Sequence, residues 1–216
     1  MILKKIAVLA TLFASVASAN AANFSFTGQF QHDNDVQLFN FVVGSTSSIS
    51  LRSWSYAGGT NAAGQVIARG GFDPILALFN SAGVRVGEQD DAGCSRVIGD
   101  AVTGRCYDTF FTTTLAAGTY TASIQQFANF ANGPNLSNGF RFDGVDYQNF
   151  RDGFVDAAGD KRNALWAFDV LNVNAAELPP VTPPVDPSPV PEPASLALLG
   201  AGLAGALVAR RRKLAK

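Results

Sequence analysis

The 216-residue chain is 47% hydrophobic and 15% charged, with 17 Phe, 21 Gly, a single His and a formal charge of −1. That near-neutrality hides an asymmetry. Lys4, Lys5, Arg210, Arg211, Arg212, Lys213 and Lys216 lie at the two ends, while between Asn23 and Pro189 nine Lys and Arg face sixteen Asp and Glu. So acidic a stretch, its arginines scattered singly, lacks the basic stripe that neutralises phosphates, which excludes nucleic acid as a partner and favours cations, neutral sugars or basic surfaces.

Residues 1–22 contain the parts of a secretory signal: Lys4 and Lys5, an apolar core over 6–16, then small residues. Ala17-Ser18-Ala19 and Ala19-Asn20-Ala21 both offer small side chains at alternate positions, placing the cut between Ala19 and Ala22. Eleven apolar residues are too few to span a membrane comfortably, so the segment reads as a removable signal and the rest of the chain as exported.

Over 23–175 short runs alternate apolar and polar residues, the period of strands with one buried face. Phe24, Phe26 and Phe30 share a face of the first run; Phe39, Phe41 and Val43 share a face of the second, over 36–43. With the polar turn Gln31-His32-Asp33-Asn34-Asp35 between them, two consecutive antiparallel strands are the simplest reading. Further strands are predicted over 48–56, 75–79, 84–89, 109–115, 119–127 and 166–173. They are separated by turn signals such as Ala57-Gly58-Gly59, Ser81-Ala82-Gly83 and Ala116-Ala117-Gly118. No segment carries a comparable helical stripe, so the fold class is all-β: one β-sandwich or jelly-roll-like ectodomain. Residues 129–161 have no period and read as a packed functional loop or a missed strand.

The proline-rich 176–189 excludes both helix and sheet interior and reads as an extended spacer. Within 190–216, sixteen uncharged residues (194–209) precede Arg210-Arg211-Arg212-Lys213. As a helix they would reach about 24 Å, enough for a transmembrane helix if the arginines snorkel. The basic cluster would stay cytoplasmic and leave the ectodomain outside.

Val190-Pro191-Glu192-Pro193, the apolar segment and Arg210-Arg211-Arg212 together resemble the C-terminal sorting signal of PEP-CTERM proteins. The resemblance implies recognition by an exosortase, a membrane cysteine protease-transpeptidase of Gram-negative bacteria that make exopolysaccharide. It also implies transient residence in the inner membrane, removal of the tail near the motif, and delivery to the cell surface or extracellular matrix. Pro191, Glu192 and Pro193 would be recognition elements and not catalysts. The ectodomain is similar to bacterial pre-peptidase C-terminal-like domains at four landmarks: 33–41, 71–79, 88–91 and 115–120. That similarity implies a β-sandwich module, some members of which bind calcium or polymeric substrates.

Little in the chain suggests catalysis. His32 is the only histidine and lies in a polar turn beside Asp33 without a serine or cysteine motif, and zinc-hydrolase spacings are absent. A glycosidase carboxylate pair is the surviving chemical alternative, with Glu88 and Glu177 the only glutamates besides Glu192. The expectation is a structural or adhesive non-enzyme associated with exopolysaccharide, the alternative a carbohydrate-binding module or weak polysaccharide-processing enzyme. Trp54 and Tyr56 would supply a sugar-stacking platform if their strand face is exposed, and core packing if it is not. Cys94 and Cys106, twelve apart in an exported domain, are expected to form a disulfide contributing about 2–3 kcal/mol. Asp33 and Asp35 in one turn, Asp73 before a proline, and Asp90 and Asp91 at a strand end are candidate calcium ligands if the fold brings their loops to one end. Capping of turns is the ordinary alternative for each.

Overall fold

The computed structural model describes residues 20–179. In chain order its strands are β1 (Ala22–Gln29), β2 (Val36–Val43), β3 (Ser47–Ser53), β4 (Gly59–Thr60), β5 (Val66–Ile67), β6 (Pro74–Asn80), β7 (Arg85–Gln89), β8 (Phe110–Leu115), β9 (Gly118–Gln126), β10 (Leu165–Val173) and β11 (Ala175–Glu177). They form a four-stranded sheet, β1-β10-β3-β8, and a five-stranded sheet, β11-β2-β9-β6-β7, with β4 and β5 as a separate small hairpin. Every strand pair is antiparallel. Helical structure among the described residues is limited to two 3-10 turns, Leu136–Asn138 and Phe150–Asp152.

The period-two pattern explains how the sheets meet. Phe39, Phe41 and Val43 of β2, Leu76 and Leu78 of β6, and Tyr120, Ala122 and Ile124 of β9 share one core. Ile49 and Leu51 of β3 and Trp166, Phe168 and Val170 of β10 supply its other side. The fold is therefore a β-sandwich, and each large side chain removed from water in this way contributes roughly 1.5–3 kcal/mol. Gly28 faces Trp166 across the β1–β10 ladder, and a Cβ there would lie 2.2 Å from Trp166 Cζ2, so the glycine leaves the space the indole fills.

One expected pairing is corrected. β1 pairs with β10, and β2 pairs with β9 and β11, so the first two strands belong to opposite sheets and are not hairpin partners. Alternation tells which face of a strand is buried but not which strand lies beside it. The five-residue turn is long enough to cross the sandwich, and Phe26 consequently meets Phe39 from the opposite sheet at 5.0 Å.

The segment 129–161 contains no strand but is packed. Ala131 and Phe140 cover Ala77 and Phe79 on the outer face of β6 as a second apolar cluster, with Val36 and Leu136 at its margin. Phe150 and Phe154 join the main core. β6 is thus buried on both faces, which is why Pro74–Asn80 reads as a continuous apolar run. At the C-terminal side, β11 takes Ala176 and Glu177 into the sheet, two residues that the composition alone assigns to the spacer. Among the described residues no helix is long and apolar enough to cross a membrane; the expected transmembrane helix, the signal peptide core and the sorting residues lie outside the described residues.

Candidate functional site

The ladder register places the acidic loops at one end of the five-stranded sheet. Val36 and Ile75 both lie opposite Gln125, and Leu76 lies opposite Gln89, so Asp35, Asp73 and Asp90 all flank the same edge of the layer. Three of the five candidate aspartates come together: Asp73, Asp90 and Asp91 each present a carboxylate oxygen within 4.8 Å of the others. Asp73 is only 7% exposed, and its Oδ1 and the Oδ1 of Asp90 have no hydrogen-bond partner among the described residues. Burial, reinforced by Asp91 and Asp90, pushes the Asp73 carboxyl up to about 9. Asp91 rises to about 6 through partial burial and then Asp90, and Asp90 rises through burial and then Glu88. Asp73 and Asp91 also line a hollow of about 280 Å³ with Arg105, Tyr107, Phe127, Ala157 and Ala158. Arg105, the cation on that wall, donates instead to Asp160 at 3.1 Å and to the Tyr107 hydroxyl at 2.7 Å.

Asp33 and Asp35 stand apart from this group. Asp35 Oδ2 accepts the amides of Gln31 at 2.7 Å and His32 at 3.0 Å, and Asp33 Oδ1 accepts the Gln148 amide at 2.7 Å. Asp35 caps its own turn and Asp33 ties that turn to the segment at Gln148, with β9 intervening between β2 and β6. His32 packs its ring against Tyr147, centroids 3.8 Å apart.

The proposed aromatic platform is corrected as well. Strand β3 ends at Ser53, after which Tyr56 turns inward and is fully buried, its hydroxyl donating to Asp160. Trp54 remains half-buried, but its Nε1 donates to Asp169 at 2.8 Å and the Arg52 guanidinium lies 3.7 Å from its ring centroid. Gly59 approaches so closely that a Cβ there would sit 2.8 Å from Cε3 and Cζ3 of the same ring. Neither ring offers the open face that stacking on a sugar requires. Glu88 is likewise committed, accepting from Arg85 at 2.7 Å and from the Ala131 amide at 2.9 Å.

Three further aspartates organise the end of the sandwich and were not singled out by sequence. Buried Asp108 accepts from Ser53 Oγ and from the Tyr56 and Ala57 amides, while Asp169 ties Ser25, Trp54 and the Ala62 amide together. Asp100 accepts both Nε and Nη2 of Arg69 and the amides of Val102 and Thr103, and lies 3.7 Å from the buried Arg162. Burial alone would raise the Asp100 carboxyl, but these bonds outweigh it and hold it far below the usual carboxylate range. Asp100 is enclosed by the Cys94–Cys106 disulfide, which is formed with a Cα–Cα distance of 5.1 Å, as the cysteine spacing predicts. For Asp100 the sequence signal is an Asp two or three residues before a turn amide, which does not distinguish a cap from a ligand; Asp108 and Asp169 bond groups remote in sequence, so spacing carries no signal for them.

With the geometry established, similarity to known proteins bears on delivery and not on the aspartates. Residues 189–213 match the PEP-CTERM protein-sorting motif. This chain carries an exosortase sorting signal. The PEP-CTERM match marks an exported protein, and it covers Pro191, Glu192, Pro193, Arg210, Arg211 and Arg212. Among solved structures, the pre-peptidase C-terminal domain of a collagenase from Bacillus anthracis is similar at 8% identity and a TM-score of 0.34, over 72% of this chain and 90% of that one. No curated protein matches the chain.

Proposed function

We propose that the chain is an exosortase substrate whose β-sandwich serves a structural or adhesive, non-catalytic role at the cell surface or in the extracellular matrix, in association with exopolysaccharide. The observation that carries this reading is the PEP-CTERM motif at 189–213, placed after a compact exported-type domain with its disulfide. The exosortase is the expected processing partner, and the inner membrane a transient one. Support for a non-catalytic role comes from how the domain uses its polar groups. His32 packs against Tyr147, Glu88 holds Arg85 and the Ala131 amide, and Asp108, Asp169 and Asp100 each satisfy backbone or side-chain donors. These are the bonds of a scaffold. The test is fractionation of the native host with and without its exosortase. The expected result is matrix or surface material in the parent and membrane-retained, full-tailed chain in the deletion; an identical distribution in both strains contradicts the proposal.

A second reading, a carbohydrate-binding module, has one observation in its favour. An open hollow of about 450 Å³ is lined by Asn40, Asn80, Thr119, Thr121 and Glu177, side chains able to bond neutral hydroxyls. Retention of the protein on the host's exopolysaccharide, weakened by Asn40→Ala and Glu177→Gln, would support it, whereas retention indifferent to both substitutions would rule out this hollow.

A further inference from the structure

Three oxygen ligands converge where the start of β6 meets the end of β7, and they come from two separate segments of chain. Asp73 immediately precedes Pro74, whose fixed φ stiffens that turn, while Asp90 and Asp91 follow β7 directly. A group of carboxylates alone would have no special meaning, since acidic turns are common. What distinguishes this one is that Asp73 is more than nine-tenths buried, that its Oδ1 has no donor among the described residues, and that its carboxylate presents an oxygen within 4.8 Å of two other carboxylates. Buried acceptors are almost always paired, and an unpaired one costs about 1–3 kcal/mol, more if charged. The nearby cation, Arg105, is turned to Asp160 and Tyr107. Two more buried oxygens of this region, Gln126 Oε1 across the ladder from Pro74 and Oδ2 of Asp156, whose charge acts on Asp73, also lack partners among the described residues.

We infer that Asp73, Asp90 and Asp91 form a binding site for one calcium ion that joins the start of β6 to the segment leading into the disulfide loop. The donors are all hard oxygens, and no His or Cys belongs to the group, which fits calcium and not zinc. Calcium takes six to eight oxygens in flexible geometry, so three carboxylates can be completed by water on the exposed Asp91 side. Magnesium demands a stricter octahedron and sheds water reluctantly, so it suits the partly buried site less well. Asp91 lies three residues before Cys94, so ion and disulfide fasten the same excursion between β7 and β8 to the sandwich. Asp33 and Asp35 stay outside the site, because Asp33 Oδ1 and Asp35 Oδ2 already hold backbone amides and neither residue belongs to the group that converges.

The experiment uses the exported chain with its disulfide intact, stripped by chelator and titrated with calcium chloride by calorimetry. One calcium should bind per chain, and a hundredfold excess over Kd should raise the melting temperature by about 5–10 °C. Asp91→Asn, at an exposed position that leaves the core undisturbed, should weaken binding ~tenfold or more, and Asp73→Asn should abolish it. Asp35→Asn should bind as the parent does. Absence of binding and of any melting shift at millimolar calcium overturns the inference. So does unchanged affinity in Asp91→Asn, or loss of binding in Asp35→Asn, which would move the ion to the other turn.

Discussion

Two acidic turns lie at the same end of the five-stranded sheet and have opposite characters. In the 31–35 turn, the carboxylates of Asp33 and Asp35 accept three backbone amides among them and help carry the chain from one sheet to the other. Two strands away, Asp73, Asp90 and Asp91 face one another, and the buried Oδ1 atoms of Asp73 and Asp90 have no hydrogen-bond partner among the described residues. The difference teaches that the number of aspartates in a loop says little about its role. What matters is whether the backbone beside each carboxylate has a free amide to give.

Breaking a satisfied carboxylate should have the largest effect. Asp100→Ala leaves Arg162, whose side chain is 1% exposed, without its buried counter-charge, and should cost about 3–5 kcal/mol in a denaturant melt. The same residue sets a pH dependence. Its carboxyl is held below its unfolded value, so its stabilisation is fully present above an unfolded pKa of about 4 and is lost as pH falls towards the folded value. The parent should therefore lose melting temperature below about pH 4 more steeply than Asp100→Asn.

Reduction of Cys94–Cys106, or its replacement by two serines, removes the constraint around Asp100 and should cost about 2–3 kcal/mol, read as a shift in the denaturant midpoint at constant slope. Free thiols in material taken from outside the cytoplasm, labelled under denaturing conditions without reductant, would contradict the bridge.

The two acidic turns themselves should respond with opposite signs in metal-free protein. Asp73→Asn replaces a buried, repelled carboxyl with an amide able to donate to Asp90 or Asp91, and should stabilise by roughly 1–3 kcal/mol. Asp35→Ala removes a cap and should destabilise by about 1 kcal/mol. If both substitutions shift the melting temperature in the same direction, the contrast between the turns is wrong.

Sequence pattern conveyed the layers of the domain well because alternation reports burial directly: Phe39, Phe41, Ile49 and Leu51 are all inward as their spacing requires. It did not convey partnership, since Phe26 and Phe39 look alike whether their strands are neighbours or lie in opposite sheets. Aperiodic 129–161 was opaque for a related reason: Ala131, Phe140, Phe150 and Phe154 pack singly from irregular backbone, so no period records them. For Trp54 and Tyr56 spacing left platform and core packing both open, because alternation does not reveal that β3 ends at Ser53, where the chain turns and buries Tyr56. Asp73, Asp90 and Asp91 were legible as turn residues, but their convergence depends on the pairing of β6 with β7, which lies beyond what spacing encodes.

All of these residues act in a domain whose destination is written in the last 28 residues, so the ends of the mature chain test the account most directly. Intact-mass measurement of the protein recovered from its native host, with the exosortase active, should show a chain beginning between Asn20 and Asn23 and ending near Pro191–Pro193. Recovery of a chain that retains Arg210, Arg211 and Arg212 from those same cells would contradict it.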